Sequence, residues 1–248
     1  MTRGTRCGAA VIRADRCELR RALLALLAML GLPATGGAQT TASDPLPGRA
    51  EASFSAGWFG GSSFGSADAN LRTRTGGDYL LFSTDSRMRG APAIEARASY
   101  ALSTRYAIEG RFAASRPELR ASISSDVEGA ADLEVAGQVD HYMFEGGVVG
   151  MVPALRIGSL LPFASVGAGY LRQLHEGLTL VEEGITYHVG GGARHALFLR
   201  RQGVLKSAGL RGDVRVNVVT GGIELGDATR THVSASGGFF VAFLRNRV

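Results

Sequence analysis

Between Gly209 and Thr220 the chain alternates two kinds of residue. Arg211, Asp213, Arg215 and Asn217 fall at every second position, and Leu210, Gly212, Val214, Val216 and Val218 fill the places between. Ionic groups at that spacing can line a conduction path and set its selectivity, pair with one another, or face water. The same pattern places Glu95 with Arg97, Glu109 with Arg111, then Glu145 and Arg194. One further pair hints at catalysis: His232 and Ser234 stand two apart, but no Asp or Glu follows residue 227. The five histidines, His141, His175, His188, His195 and His232, lack metal-ligand spacing with Cys or carboxylates. No nucleotide-binding signature occurs. Gly190, Gly191 and Gly192 have no helix pattern after them and read as positions that admit a neighbour's bulk or relieve curvature. No cofactor is expected.

Side chains that alternate with period two belong to β-strands. Eight such segments can be read: Glu51 to Gly60, Ala91 to Leu102, Tyr106 to Ser115, Gly137 to Met151, Leu161 to Leu174, Ile185 to Leu199, Gly209 to Thr220 and Thr231 to Leu244. Each is roughly ten residues or more, enough to cross a bilayer when tilted. An even count lets an antiparallel sheet close with both ends on one side. The connections after odd-numbered strands are long, as in Gly61 to Gly90, Arg116 to Ala136 and His175 to Gly184. Those after even ones are tight, as in Ser103 to Arg105. Gly221 to Arg230 is a shorter member of the first group. A soluble sandwich would also alternate, but it would not hold ionic groups at mid-strand on its second face. The expected fold is all-β: an eight-stranded antiparallel up-and-down transmembrane β-barrel.

Bulk composition agrees. The chain has 248 residues, enough for one barrel, with 35 Gly. Its mean hydropathy of +0.08 excludes a bundle of transmembrane helices. The net charge of +5 misleads. Six of the 27 basic residues and two of the 22 acidic ones precede residue 39, so the remainder carries 21 basic and 20 acidic residues, a net of +1. That balance removes the argument for a nucleic-acid partner. Arg20 and Arg21 stand before an apolar core, Ala22 to Leu32, which Pro33 and the small residues Gly36, Gly37 and Ala38 follow. This is the three-part secretory signal. Residues 1–38 are read as signal peptide, 39–50 as a flexible periplasmic leader and 51–248 as the barrel. Both cysteines, Cys7 and Cys17, fall in the signal, so the exported chain needs no disulfide.

With strand count, signal and loop asymmetry in place, the chain resembles the outer membrane protein β-barrel family, the small eight-stranded OmpA-like barrels of the Gram-negative cell envelope. The resemblance spans Glu51 to Leu244 and rests on architecture. It extends to Gly238, Phe239, Phe240 and Phe243, which resemble the aromatic closing strand read by the barrel-assembly machinery, although five residues follow Phe243. It implies insertion in the outer membrane, with outer-membrane lipid and that machinery as partners, and roles from adhesion to structural anchoring. Some small barrels of this kind deacylate lipid A with a His and a Ser two apart plus a carboxylate. Here the carboxylate is missing and His232 faces inward by parity, so the pair reads as part of a polar stripe with Ser236.

The interior of an eight-stranded barrel is just wide enough for side chains to fill. Glu95, Arg97, Glu109, Arg111, Glu145, Arg194, Arg211, Asp213 and Arg215 are therefore expected as a lumen charge network, five basic and four acidic, with neighbouring strands bringing opposite signs together. A plugged lumen is favoured over a narrow pore. Specific function is expected in the extracellular loops, above all Gly61 to Gly90 with Tyr79, Leu80, Leu81 and Phe82, which meets a surface ligand or extends the first hairpin above the membrane. After export, N-terminal sequencing of the envelope form should begin at Gln39. A start before the apolar core would show that the signal is retained.

Overall fold

The structure is a computed structural model and describes residues 47–72, 77–124, 131–175, 180–200, 203–223 and 229–244. The signal and all but the end of the leader lie outside the described residues. Among the described residues twelve strands follow one another with a single short 3-10 turn, Pro153–Leu155. They are β1 Arg49–Phe59, β2 Ser62–Arg72, β3 Asp78–Met88, β4 Ala91–Ala101, β5 Tyr106–Ser115, β6 Glu118–Ser124, β7 Leu133–Gln138, β8 Asp140–Met151, β9 Leu160–His175, β10 Leu180–Leu199, β11 Leu205–Gly221 and β12 Arg230–Leu244.

Eight of them form a closed antiparallel barrel in the order β1, β12, β11, β10, β9, β8, β5, β4. These are the eight strands read from alternation, with corrected ends. β1 starts two residues early, at Arg49, inside the expected leader. β8 starts at Asp140 rather than Gly137, because Leu133–Gln138 pairs elsewhere as β7. The expected loop from His175 to Gly184 is largely strand, since β9 and β10 stay paired out to His175↔Leu180.

The remaining four strands correct the expectation for the two longest connections. They build a separate sheet in the order β2, β3, β6, β7. The first connection folds back as the β2–β3 hairpin and the second as the β6–β7 hairpin. The two join where β3 pairs with β6, from Ser83↔Ser124 to Met88↔Leu119. Asp78 to Met88 thus extends the first hairpin and is also the seam between two loops. This sheet keeps the period of the wall that it prolongs but reverses its sense, since its apolar face is the one that carries buried Ser86 and Met88. One face carries Phe82, Ala121, Ile123, Leu133 and Val135. The other carries Asp85, Arg87, Arg120 and Glu134, with Arg120 held by Glu118 at 2.5 Å and Glu134 at 2.9 Å.

The barrel wall has two chemically opposite faces. Phe54, Trp58, Ile94, Ile108, Phe144, Tyr187, Val214, Val233 and Phe239 are exposed on its outside. On β11 the burial alternates residue by residue from Gly209 to Thr220. An apolar exterior around an ionic interior inverts the order of a soluble protein and fits a wall set in hydrocarbon. No helix among the described residues is long and apolar enough to cross a membrane. Val216, near the middle of β11, points outward. Val216→Arg is expected to cost roughly 2–4 kcal/mol in a refolding titration into lipid. Val216→Cys should resist aqueous maleimide, and ready labelling would place this face in water.

Candidate functional site

All nine residues expected in the lumen lie inside the barrel and are buried. A tenth belongs with them. Glu51 on β1 is buried and accepts a hydrogen bond from Arg194 Nη2 at 2.6 Å. The alternation of β1 already carried the signal. With Phe54, Ala56 and Trp58 outside, Glu51, Ser53 and Ser55 must face in. Glu51 brings the acidic groups to five, Glu51, Glu95, Glu109, Glu145 and Asp213. They meet five arginines, Arg97, Arg111, Arg194, Arg211 and Arg215, so this middle layer balances, while two more buried arginines, Arg49 and Arg230, stand toward the turn end and the loop end.

Six of the ten close a ring of alternating sign. Arg215 Nη2 meets Asp213 Oδ2 at 3.0 Å. Asp213 Oδ2 meets Arg97 Nη1 at 2.8 Å. Arg97 pairs with Glu95, and Glu95 with Arg111. Arg111 Nη1 meets Glu145 Oε2 at 2.5 Å, and Glu145 returns to Arg215 Nη1 at 3.6 Å. Glu109 joins from the side, 3.0 Å from Arg215 and 2.5 Å from Arg211. Ser236 donates to Asp213 Oδ1 at 2.6 Å and accepts from Arg97 Nη2 at 2.8 Å. Thr186 donates to Glu145 Oε1 at 3.5 Å, and His188 Nδ1 lies 3.4 Å from the same oxygen.

Three of the pairings are not those that strand neighbourhood suggests. Arg97 and Arg111 stand directly opposite each other on β4 and β5, as do Arg194 and Arg211 on β10 and β11. Like charges in that relation repel. The arginines avoid one another by reaching across the lumen. Arg97 on β4 meets Asp213 on β11, Arg211 on β11 meets Glu109 on β5, and Arg194 on β10 meets Glu51 on β1. Arg111 with Glu145 is a pairing of the expected neighbour type. The long planar guanidinium, with donors fixed in a fork, suits such a reach.

Glycine makes room for this. An added Cβ at Gly190 would stand 2.7 Å from Arg215 Cγ and 2.5 Å from Val214 O. At Gly192 it would stand 2.7 Å from Asp213 Cβ, and at Gly169 2.7 Å from Glu145 Cγ. Of the triplet read as space for a neighbour's bulk, Gly190 and Gly192 face inward and fill that role.

Apolar layers cap the ionic one. Toward the chain termini and tight turns, the turn end, Val149, Met151, Leu161 and Phe163 form a buried cluster. There Arg211 lies over the Phe163 ring at 4.5 Å and Arg194 over the Phe240 ring at 4.2 Å. Toward the other, loop end, Phe59, Ala93, Ala113, Met143, Leu171 and Val219 form a second cluster. Phe59 sits between His141, at 5.6 Å, and His232, at 5.7 Å. Arg230 and Gln173 hold the end of β11 and the residues just after it. Arg230 donates to the carbonyls of Gly221 and Ile223, and Gln173 Oε1 accepts from Ile223 N at 3.0 Å. Gly222 there has a φ of +83°, and a Cβ on it would stand 2.5 Å from Gln173 Oε1. Cavities beside the network are small. One of about 20 Å³ is lined by Glu51, Glu109, Arg194 and Arg211, and one of about 10 Å³ by Arg111, Glu145, His188 and Arg215. Either holds about one water molecule.

His232 and Ser234 both face the lumen, and Ser234 Oγ accepts from Asn217 Nδ2 at 3.0 Å. Among the described residues no group of three or more His, Cys, Asp and Glu could hold a metal ion. Of the residues likened to an assembly signal, Phe240 is buried in the lumen, Phe239 is exposed on the outer wall beside Phe54 and Phe243 is half-buried. Gly238 packs against Ser55.

No protein-family profile matches the chain, and no curated protein sequence matches it. Solved structures do. The outer membrane protein OprG from Pseudomonas aeruginosa is 11% identical and superposes with a TM-score of 0.50, covering 82% of this chain and 99% of that one. Neisserial surface protein A is 11% identical with a TM-score of 0.42, covering 80% of this chain and 97% of its own. The attachment invasion locus protein Ail of Yersinia pestis, in complex with the heparin analogue sucrose octasulfate, is 13% identical with a TM-score of 0.37, covering 77% and 98%. At these identities the likeness is one of fold, and OprG carries it. The chain has the fold of the small eight-stranded outer-membrane barrels.

Arg215 joins three carboxylates, those of Glu109, Asp213 and Glu145. Arg215→Ala should therefore lower stability by roughly 3–5 kcal/mol, the cost of leaving buried charge uncompensated. Urea unfolding of the refolded barrel in lipid measures it. A change below about 1 kcal/mol would mean that the network is wetter than its burial implies.

Proposed function

We propose that this chain is an integral protein of the bacterial outer membrane whose lumen is a structural plug, and that it acts through its loop end rather than by conduction or catalysis. The observation that carries the plug is the neutral set of five arginines and five carboxylates joined across the lumen. A conduction path needs unpaired charge and connected space. Here each of these charges has a partner of opposite sign, and the cavities beside them hold about one water each. Apolar side chains above and below the ring add barriers to ions.

The exported location rests on the signal at Arg20 to Ala38 together with the apolar exterior. The lipid of the outer membrane and the barrel-assembly machinery are the partners this location requires. Surface interaction is favoured over a purely anchoring role by the loop-end sheet. Two loops that could have stayed independent are tied together through β3 and β6, which holds a defined surface outside the wall. A rigid surface loses less entropy when a ligand settles on it. A catalytic role finds no support at His232 and Ser234, because both side chains point away from the lipid.

Fractionation and planar-bilayer recording test the two halves of this reading. The protein should co-sediment with the outer membrane, resist carbonate extraction and migrate faster on unheated than on heated detergent gels. The folded protein should give no regular conductance steps. Recovery in the soluble periplasm would overturn the location. Large, steady channels whose ion selectivity reverses when Arg97 and Arg215 are replaced would overturn the plug.

A further inference from the structure

The turn end of the barrel carries a surface that neither the lumen nor the loop-end sheet accounts for. β10 runs on to Leu199, past its last pairing with β9 at His195↔Leu160. β11 accompanies it, with Leu199 opposite Ser207, and Arg200 N donates to Lys206 O at 2.8 Å to close the hairpin. The β10–β11 hairpin therefore projects beyond the start of the adjacent β9. A bulge between Ala196 and Phe198 breaks the strict alternation there, and Leu197, Phe198 and Leu199 are exposed in succession. The β8–β9 turn lies beside the base of this hairpin. Ser159 Oγ and His195 Nδ1 are 2.9 Å apart and tie the two together. That turn exposes Leu155 and Ile157, the latter 76% accessible, and Val204 is exposed at the hairpin tip.

So much exposed aliphatic surface is not what a tip in water carries. The charge around it has one sign. Arg156, Arg200 and Lys206 fringe the patch, and neither Gly146 to His175 nor Gly184 to Gly212 contains an Asp or a Glu. The loop end differs: Asp85, Glu118, Glu134 and Asp140 stand there among its arginines. An apolar surface with basic groups at its edge, the only charged ones there among the described residues, matches the boundary between acyl chains and phosphates, where aliphatic side chains sink and Lys and Arg reach out to headgroups. The patch is also continuous with the lipid-facing wall through Leu160 and Leu210, both exposed.

We propose that the β10–β11 hairpin and the β8–β9 turn form an interfacial site that selects anionic phospholipid in the leaflet meeting the turn end. The inference rests on the reading of the barrel as membrane-inserted. Leu197, Phe198, Ile157 and Val204 enter the upper acyl region, and Arg156, Arg200 and Lys206 hold the phosphates. The site thereby fixes the depth of the barrel and enriches acidic lipid around one side of it.

The test uses the full mature protein refolded into phosphatidylcholine vesicles, with spin-labelled phosphatidylglycerol or phosphatidylcholine as the probe. In the electron paramagnetic resonance spectrum the motionally restricted fraction should favour phosphatidylglycerol by on the order of fivefold, given three basic groups near the surface and partial screening by salt. The triple variant Arg156→Gln, Arg200→Gln, Lys206→Gln should lose most of that preference. The loop-end variant Arg87→Gln, Arg116→Gln should keep it. Unheated gel mobility of each variant reports independently that the barrel has folded and inserted, so a failure of the membrane reading appears there first. Equal restriction of the two lipids by the folded parent, or an undiminished preference in the folded triple variant, would overturn the site. A loss confined to the loop-end variant would move it to the other rim.

Discussion

Charge buried in a narrow, closed wall must be neutralised by charge from the same wall. The strands close on themselves, the outside is apolar, and the interior leaves room for little more than side chains. An unpaired ion there would cost several kcal/mol. Much else in the structure answers to that constraint. Five arginines and five carboxylates balance, and six of them close a ring in which each sits between two of opposite sign. Because the partners of Arg97, Arg194 and Arg211 stand on distant strands, the network ties opposite walls as well as cancelling charge.

The constraint also explains where small residues fall. Long guanidinium groups can cross the lumen only if the walls beside them stay bare. Gly169, Gly190 and Gly192 leave that space next to Glu145, Arg215 and Asp213. Glycine inside a strand weakens it and is accepted when something must come close. Here a charged side chain from the adjacent strand comes close. Lumen electrostatics and wall composition are thus one problem at Gly169, Gly190 and Gly192. The aromatic rings at Phe163 and Phe240 belong to the same arrangement. They cover Arg211 and Arg194 where the ionic layer gives way to the apolar one.

Beyond the wall the two ends diverge. At the loop end the period-two pattern continues past the barrel into a second sheet. Its two hairpins are far apart in sequence, yet they share one seam from Ser83 to Met88. Gln173 and Arg230 both hold Ile223, just past the end of β11. At the turn end one hairpin overruns its neighbour and exposes aliphatic residues with a basic fringe. Among the described residues, mixed charge on one rim and basic residues on the other give the molecule a polarity.

Alternation alone made the eight barrel strands legible, because each strand separates apolar from ionic residues and a slip of one position would exchange the faces. It also placed all nine expected charges inside, and it held the information for Glu51, since the outward set on β1 leaves that residue nowhere else to go. Two things could not be read along the chain. One was the pairing of charges. Local reasoning joins neighbours, whereas register set Arg97 against Arg111 and Arg194 against Arg211, and the curvature of the closed wall brought partners for Arg97, Arg194 and Arg211 within reach from the far side. The other was the loop-end sheet. β6 and β7 are short, β2 is largely polar and β7 is exposed throughout, so their local pattern is weak. They are strands because barrel closure sets β3 beside β6, and backbone groups so placed satisfy one another.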